Sequence, residues 1–286
     1  MKILVFGRLG QVGKEVGICS SEYKDTEIIY VDRKTANLEN PKQCADAVYL
    51  TKPDLIINTA AYTNVEKAED EEELANIING YSPAAMAQAA ASINCPFIHI
   101  STDYVFDGLG TGPKAEEMTV NPLNAYGRSK LLGEVGILES NCIYLILRTS
   151  WVFSSHGNNF VKSIINASKK NKILEVVDDQ IGGPTSAKAL AKAILSISYK
   201  LIHDSSLKGI YHFSGYPDVS WSSFAESILE DKNGIQVKKI KTENLHSRVE
   251  RPLDSCLDCS KIEKNFSISR PFWKEDLKTV LQELRG

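Results

Sequence analysis

The 286-residue chain lacks the features that define several protein classes. No run of about 18 apolar residues occurs, so no transmembrane helix is predicted. The opening MKILVFGRLG pairs a short apolar run with glycines. It has neither the longer apolar region nor the small-residue cleavage site of a secretory signal, which points to mature structure in the cytoplasm. There is no surplus of positive charge: 33 Lys and Arg stand against 36 Asp and Glu, a net charge of -3. A generally basic, nucleic-acid-coating protein is excluded, and no nucleic-acid or membrane partner is expected. Cysteine is sparse and scattered, at Cys19, Cys44, Cys95, Cys142, Cys256 and Cys259. Reduced, buried thiols are expected. Only Cys256 and Cys259 have metal or redox spacing, and no second such pair or His pair lies nearby, so no metal site is predicted. Neither an internal repeat nor a linker-like change of composition appears. What is present, 43% hydrophobic and 24% charged residues, is ordinary globular composition for one or two domains.

Short apolar runs rich in β-formers predict strands at 2–6, 27–31, 55–58, 97–100 and 144–147. Helix-length segments separate them. One is predicted at 41–50, one around Leu74, Ile77, Ile78 and Tyr81 at i, i+3, i+4, i+7, and one at 127–138. Strands alternating with helices predict an α/β fold, a doubly wound parallel sheet with helices on both faces. Beyond residue 150 the pattern loosens. Helices are predicted at 159–169, 187–199, 222–230 and 277–284 and a strand at 174–177, while 236–255 reads as polar and irregular. The division expected is 1–150 as a dinucleotide-binding domain and 151–286 mainly as a smaller α/β substrate domain, with 186–203 packing back onto the first. The acidic stretch Glu66–Glu73 reads as a solvated helix start.

Gly7-Arg8-Leu9-Gly10-Gln11-Val12-Gly13 is a G-x-x-G-x-x-G turn between the first strand and a helix. A side chain at the tight turn would block close approach of a pyrophosphate to backbone N–H groups, and the helix N-terminus offers free donors to phosphate. Asp32 ends the second strand, where an acid binds the adenosine ribose hydroxyls and favours NAD. Arg33 and Arg8 each offer a guanidinium to a 2′-phosphate and favour NADP. Use of both NADPH and NADH is therefore expected. Thr59, Ala60, Ala61 and Tyr62 follow the third strand at its carboxyl end, where small residues leave room for a cofactor.

Ser101-Thr102-Asp103-Tyr104-Val105-Phe106 follows the fourth strand. Tyr126 and Lys130 stand at i, i+4, on one face of a helix. A phenol is a poor acid–base at neutral pH, and a nearby ammonium favours the phenolate. Such a tyrosine exchanges a proton with a carbonyl or alcohol, the lysine also holds a cofactor ribose, and a Thr or Ser hydroxyl supports the developing oxyanion.

The combination resembles the extended short-chain dehydrogenase/reductase superfamily and, more narrowly, the dTDP-4-dehydrorhamnose reductase family. The matching stretches are GRLGQVG (7–13), NTAAYTNVEKAE (58–69), STDYVFDG (101–108), PLNAYGRSK (122–130), RTSWVF (148–153), GNNF (157–160) and DDQIGGPT (178–185). The resemblance implies a Rossmann-type fold and NAD(P)H-dependent reduction of the C4 keto group of dTDP-4-dehydro-L-rhamnose to dTDP-L-rhamnose, a precursor of cell-surface polysaccharide. It implies Thr102, Tyr126 and Lys130 as catalytic residues, with Tyr126 protonating the C4 oxygen. It places Asn37 and Leu38 on the adenine side of the cofactor, where an acid would be expected before the apolar residue. It sets Asp103, Tyr104, Val105 and Trp151 around the sugar, with Asn159 and Thr185 on the substrate side and Arg251 near the substrate diphosphate. A homodimer, and in some members a magnesium ion at its contact, are further implications that map onto no particular residue here. A related nucleotide-sugar reductase or epimerase, and a non-catalytic dinucleotide-binding subunit like that of methionine adenosyltransferase, stay open as alternatives.

Overall fold

A computed structural model describes residues 1–110, 112–232, 234–245 and 247–285. Lys2–Phe6 forms β1, whose Ile3, Leu4, Val5 and Phe6 are fully buried. Each such side chain contributes about 1.5–3 kcal/mol by leaving water. The first half continues as α1 (Gln11–Cys19), β2 (Glu27–Val31), α2 (Pro41–Thr51), β3 (Leu55–Asn58), α3 (Val65–Ala68), α4 (Glu72–Asn76), α5 (Ser82–Ser92), β4 (Phe97–Thr102), α6 (Ala125–Glu139) and β5 (Tyr144–Thr149). The second half adds β6 (Val152–Phe153), α7 (Phe160–Ser168), β7 (Ile173–Val177), β8 (Ile181–Gly182), β9 (Thr185–Ser186), α8 (Ala187–His203) and β10 (Gly209–His212). After these come β11 (Val219–Ser220), α9 (Trp221–Ile228), β12 (Gln236–Ile240), α10 (Ser260–Phe266) and α11 (Trp273–Glu283).

Six parallel strands form the main sheet in the order β10-β5-β4-β3-β1-β2. The chain leaves β1 towards β2 on one side and then crosses to β3 on the other. Ligands of open α/β sheets bind at such a switch point, outside the carboxyl ends of the strands. Two apolar layers cover the sheet. One joins Ile3, Val5 and Leu147 to Val16 of α1 and Leu190, Ile194 and Ile197 of α8. The other joins Leu4, Phe6 and Ile56 to Val48 of α2 and Met86 and Ala90 of α5. A separate core in the second half gathers Phe153, Val161, Phe224 and Trp273.

The predicted strands and most helices agree with the structure within a few residues. Three local expectations do not. The stretch 236–255 contains β12, which pairs parallel with β7. Its polarity comes from exposure: Lys238 pairs with Glu175 across the two strands at 2.7 Å. Helix periodicity also fails around Tyr81, which is 53% exposed, because Ile77–Tyr81 forms a π-helical turn. The wider turn rotates the buried face onto Ile78, Asn79 and Gly80. Finally, the acidic stretch is not merely solvated. Glu66 pairs with Arg251 at 2.5 Å, Asp70 pairs with Arg248, and Glu72 pairs with Arg128 at 2.8 Å. All six cysteines are free and buried. Among the described residues, no helix is long and apolar enough to cross a membrane.

Candidate active site

The glycine turn occupies the switch point. Gly7 has φ +99°, and a Cβ there would lie 2.6 Å from the Thr59 hydroxyl and 2.7 Å from the Ala60 nitrogen. A Cβ on Gly13 would stand 2.1 Å from the Gly7 carbonyl oxygen. Both positions therefore require glycine, and the Gly10 N–H closes the turn on that same carbonyl at 3.0 Å. Gly10 is the N-cap of α1 and no side chain caps the helix, so Gln11, Val12 and Gly13 open it without a side-chain acceptor. This cradle fits a pyrophosphate. Leu9 is 80% exposed above it. Arg8 is also exposed, 5.5 Å over the ring of Tyr30, whose hydroxyl donates to the Gly13 carbonyl at 2.8 Å.

Asp32 and Arg33 lie on an exposed turn after β2. Asp32 Oδ1 accepts from the N–H groups of Lys34 and Thr35, at 2.9 and 3.1 Å, which holds its carboxyl below the usual range. Asn37 Oδ1 accepts from the Glu39 N–H, and the Leu38 carbonyl accepts from Ser82, at 3.1 and 2.6 Å. Thr59 is anchored to the Phe6 carbonyl through its hydroxyl at 2.8 Å. Ala60 donates its N–H to Asn58 Oδ1 at 3.1 Å, and Ala61 follows. Tyr62 is held at both backbone groups by Asn79, at 2.8 and 3.0 Å, and Asn79 also donates to the Ser129 hydroxyl at 2.9 Å. The π-turn thus ties the loop after β3 to the helix that carries Tyr126 and Lys130.

That helix starts under a cap: Asn124 Oδ1 accepts from the Gly127 N–H at 2.8 Å. A Cβ at Gly127 would be 2.3 Å from the Tyr104 carbonyl oxygen. The missing side chain lets α6 settle on the turn after β4 and bring half-buried Tyr126 to the Tyr104 ring, 5.8 Å edge-on. The Thr102 hydroxyl donates to Asp103 Oδ1 at 3.0 Å and accepts the Tyr104 N–H at 3.2 Å. Asp103 is buried, and its Oδ2 has no hydrogen-bond partner. Burial pushes the Asp103 carboxyl up to about 6 and the Tyr126 phenol up to about 12; the Thr102 hydroxyl draws the phenol down and the Asp103 charge pushes it up.

This corrects the expectation that Lys130 lowers the phenol. The Lys130 nitrogen is engaged elsewhere, donating to the Ile100 carbonyl at 2.6 Å and lying 3.0 Å from His99 Nε2. The i, i+4 spacing puts the two residues on one helix face, but burial of the amine draws its tip to the strand.

The residues expected around the substrate divide. Tyr104 contacts Arg251, whose guanidinium also donates to Glu66 and to the Ser247 hydroxyl oxygen, the latter at 2.8 Å. Asp103, Tyr104 and Arg251 therefore meet Thr102 and Tyr126. Trp151 is half-buried, at φ +49°, and stacks on Trp221 with centroids 3.5 Å apart. Val105 is fully buried in the sheet core and lines no cleft. Thr185 is fully buried, donating to the Gly183 carbonyl at 3.0 Å and accepting from the Gly215 N–H at 3.1 Å. Asn159 caps α7 through the Lys162 N–H at 3.1 Å and donates to Gln11 Oε1 at 2.8 Å, so its carboxamide is already partnered. Strand-end position and motif order place these three near the cleft; packing decides that they serve as core and caps.

Sequence reasoning missed Asn58, Asn79, His99 and the buried pair Glu134–Arg148, joined at 2.6 Å. Asn58 and His99 carry a legible signal, a polar residue within an apolar strand. The other residues lie on helix or strand faces whose partners only the fold reveals.

The sheet order, the glycine turn and the Tyr-x-x-x-Lys helix define a Rossmann-type α/β protein of the short-chain dehydrogenase/reductase kind. The model of one family, the RmlD substrate binding domain, matches residues 1–285, and the chain belongs to that family. It is 38% identical to a dTDP-4-dehydrorhamnose reductase of Sinorhizobium fredii, over 99% of this chain and 98% of that protein. It is 36% identical to the protein of that name from Escherichia coli K12, with 99% and 98% covered. A crystal structure of a dTDP-4-dehydrorhamnose reductase from Clostridium acetobutylicum superposes with TM-score 0.93 at 36% identity, covering 100% of both chains. One from Bacillus anthracis, in complex with NADP, superposes with TM-score 0.89 at 35% identity, covering 99% of both.

Proposed function

We propose that this chain reduces the C4 keto group of dTDP-4-dehydro-L-rhamnose to dTDP-L-rhamnose, with NADPH or NADH. The observation that carries the reading is Tyr126 packed edge-on against Tyr104, 5.8 Å away, on the turn that Thr102 caps at the carboxyl end of β4, in a chain collinear with reductases of that name. The Gly7–Gly13 turn would hold the cofactor pyrophosphate, and the surface around Asp32, Arg33, Asn37 and Leu38 its adenosine half. The loop Thr59–Tyr62 would line its path and Lys130 would hold its nicotinamide ribose. When bound, the nicotinamide supplies the hydride.

Tyr126 donates the proton to the C4 oxygen. Its burial keeps that proton in place until transfer, because a phenol pushed up to about 12 is fully protonated near neutral pH. Thr102 supplies a second hydrogen bond to the same oxygen. Asp103, Tyr104 and Trp151 border the sugar, and Arg251 would exchange Glu66 for a diphosphate oxygen. The separate core around Phe153, Phe224 and Trp273 supports a dinucleotide half at 1–150 and a mainly substrate half at 151–286. A cytoplasmic homodimer completes the reading, and sedimentation velocity checks the assembly.

The test is oxidation of NADPH and NADH by the purified protein against a panel of 4-keto sugar nucleotides. Stoichiometric oxidation with dTDP-4-dehydro-L-rhamnose is expected. Unchanged NADPH absorbance would overturn the reading, and conversion without added reductant would indicate an epimerase.

A further inference from the structure

The segment 247–251 crosses the acidic stretch beside the site. Its backbone is pinned on both sides of Arg251. The Glu250 carbonyl accepts from Asn124, the cap of α6, at 2.9 Å, and the Leu253 carbonyl accepts from the Ile181 N–H at 2.7 Å. A Cβ at Gly108 would lie 2.6 Å from the Pro252 Cβ, so the stretch after β4 packs directly against the same segment. Arg251 is thereby delivered to Tyr104 from a fixed backbone.

Besides Tyr104, the guanidinium meets Ser247, Val249 and Glu66. Nη1 donates to the Ser247 hydroxyl oxygen at 2.8 Å and to the Val249 carbonyl at 3.4 Å. Nη2 donates to Glu66 Oε1, which also accepts from the Ser247 hydroxyl at 3.0 Å. Ser247 and Val249 are neutral and belong to the same segment as Arg251. Of these partners only Glu66 is charged, and it reaches across from α3. Burial works against its charge, but the hydrogen bonds from Arg251 and Ser247 outweigh it and hold the carboxyl below its ordinary value. The Glu66 side chain is 47% exposed, against 19% for Arg251. Glu66 can therefore swing into water without becoming a buried, unpaired group. Four residues on, Asp70 pairs with Arg248, which also donates to the Glu66 carbonyl at 3.3 Å. Those contacts do not involve the Arg251 side chain, so the segment stays in place while Arg251 changes partner.

We propose that Glu66 is a specificity-determining residue: in the free protein its carboxylate stands in for a phosphate on Arg251, and the substrate diphosphate binds by displacing it. An internal competitor lowers the apparent affinity for an incoming anion by the fraction of time it holds the cation. The exchange trades one charge-assisted pair for another, so it favours an anion of higher charge than a carboxylate. The identity of that anion as a nucleotide diphosphate rests on the reductase reading; the exchange itself concerns binding alone.

The test is calorimetric titration of the full chain with dTDP, the nucleotide half of the proposed substrate. Glu66→Gln keeps the shape of the side chain and removes its charge. The Kd for dTDP is expected to fall about two- to fivefold, the range that a partly exposed ion pair supports. Asp70→Asn removes a charge of the same sign from the same stretch without touching Arg251, and should leave the Kd nearly unchanged. In an Arg251→Gln background, Glu66→Gln should give no further tightening. In turnover, the KM for the sugar nucleotide should fall while kcat stays the same, because Thr102 and Tyr126 keep their places.

An unchanged or higher Kd in Glu66→Gln overturns the proposal, since Glu66 would then only orient the guanidinium. Equal tightening by Asp70→Asn overturns it too, as an effect of overall charge, and so does the absence of dTDP binding to the unaltered chain. If the glutamine variant does not fold, Glu66→Ala decides by the same outcomes. Tighter dTDP binding in a protein that reduces no 4-keto sugar nucleotide would sink the proposed function and leave the Glu66 assignment intact. Normal reduction with an unmoved Kd in Glu66→Gln would sink the Glu66 assignment alone.

Discussion

Asn159 donates its carboxamide to Oε1 of Gln11 at 2.8 Å, across 148 residues of chain. Ser154 donates to the same oxygen at 2.8 Å. One side chain of the glycine turn is thus clamped by the second half of the molecule, and the α7 cap belongs to the same contact. Removing it with Gln11→Ala leaves two donors without their acceptor. A net loss of about 1 kcal/mol is expected, read as a roughly fivefold rise in the Kd for NADPH by fluorescence titration. An unchanged Kd would show that the clamp does not position the turn.

The glycine turn makes a stronger prediction. In Gly13→Ala, the added methyl would lie 2.1 Å from the Gly7 carbonyl oxygen, and the backbone on both sides must move. Loss of measurable cofactor binding is expected, together with a lower Tm, a penalty of about 1–3 kcal/mol for overpacking. Calorimetry with and without NADPH separates the two effects. Wild-type binding would show that the turn is not the phosphate cradle.

Tyr126→Phe keeps the ring that packs edge-on against Tyr104 and removes only the hydroxyl beside Thr102. Turnover is expected to fall by about 10²–10⁴, the usual worth of one general acid. Cofactor Kd should stay within a few-fold. Near-normal turnover would remove Tyr126 from the chemistry.

Asp103 gives a pH prediction with a definite sign. Burial raises its carboxyl to about 6 in the folded chain, against an ordinary value of 3.8. The folded state therefore binds more protons than the unfolded state between these values, and stability falls as pH rises through them. The contribution is present below about pH 4 and lost above about pH 6, on the order of 1–3 kcal/mol. In Asp103→Asn this slope should vanish. The difference in Tm between variant and unaltered protein should then move in the variant's favour from pH 4 to 7. A difference independent of pH would show that the carboxyl is ordinary.

Arg251 joins Glu66 on the acidic stretch and Tyr104 at the site. Arg251→Gln should raise the KM for the sugar nucleotide about tenfold or more while the KM for NADPH changes little, because a charge-assisted pair with phosphate is worth about 1.5–3 kcal/mol. The exposed pair Asp70–Arg248 offers a control. Arg248→Gln should alter neither constant much, since surface ion pairs contribute about 0–1 kcal/mol. Equal effects of the two variants would place the diphosphate elsewhere.

The strands, the glycine turn, the helix pairing Tyr126 with Lys130 and the hydroxyl after β4 were all legible from order along the chain. Each is a local pattern: an apolar run, a turn that admits no side chain, or a 3.6-residue repeat. The strand within 236–255 was not legible, because an exposed ribbon needs no apolar alternation and is set by its partner β7. The π-turn at Ile77–Tyr81 was hidden for a related reason. Its wider winding serves Asn79, whose partners Tyr62 and Ser129 lie 17 and 50 residues away.

By itself, then, the sequence determined the class of fold and the candidate residues for the chemistry, because backbone sterics and apolar periodicity act over a few residues. Only the tertiary structure decided which of those side chains remain free to act. Thr185 and Val105 stand beside the expected cleft in the chain, yet both are sealed in the core. Lys130 is four residues from Tyr126, yet its nitrogen lies on His99 and Ile100. Burial gives each polar atom a partner or a cost, and partners are assigned across the fold, not along the chain.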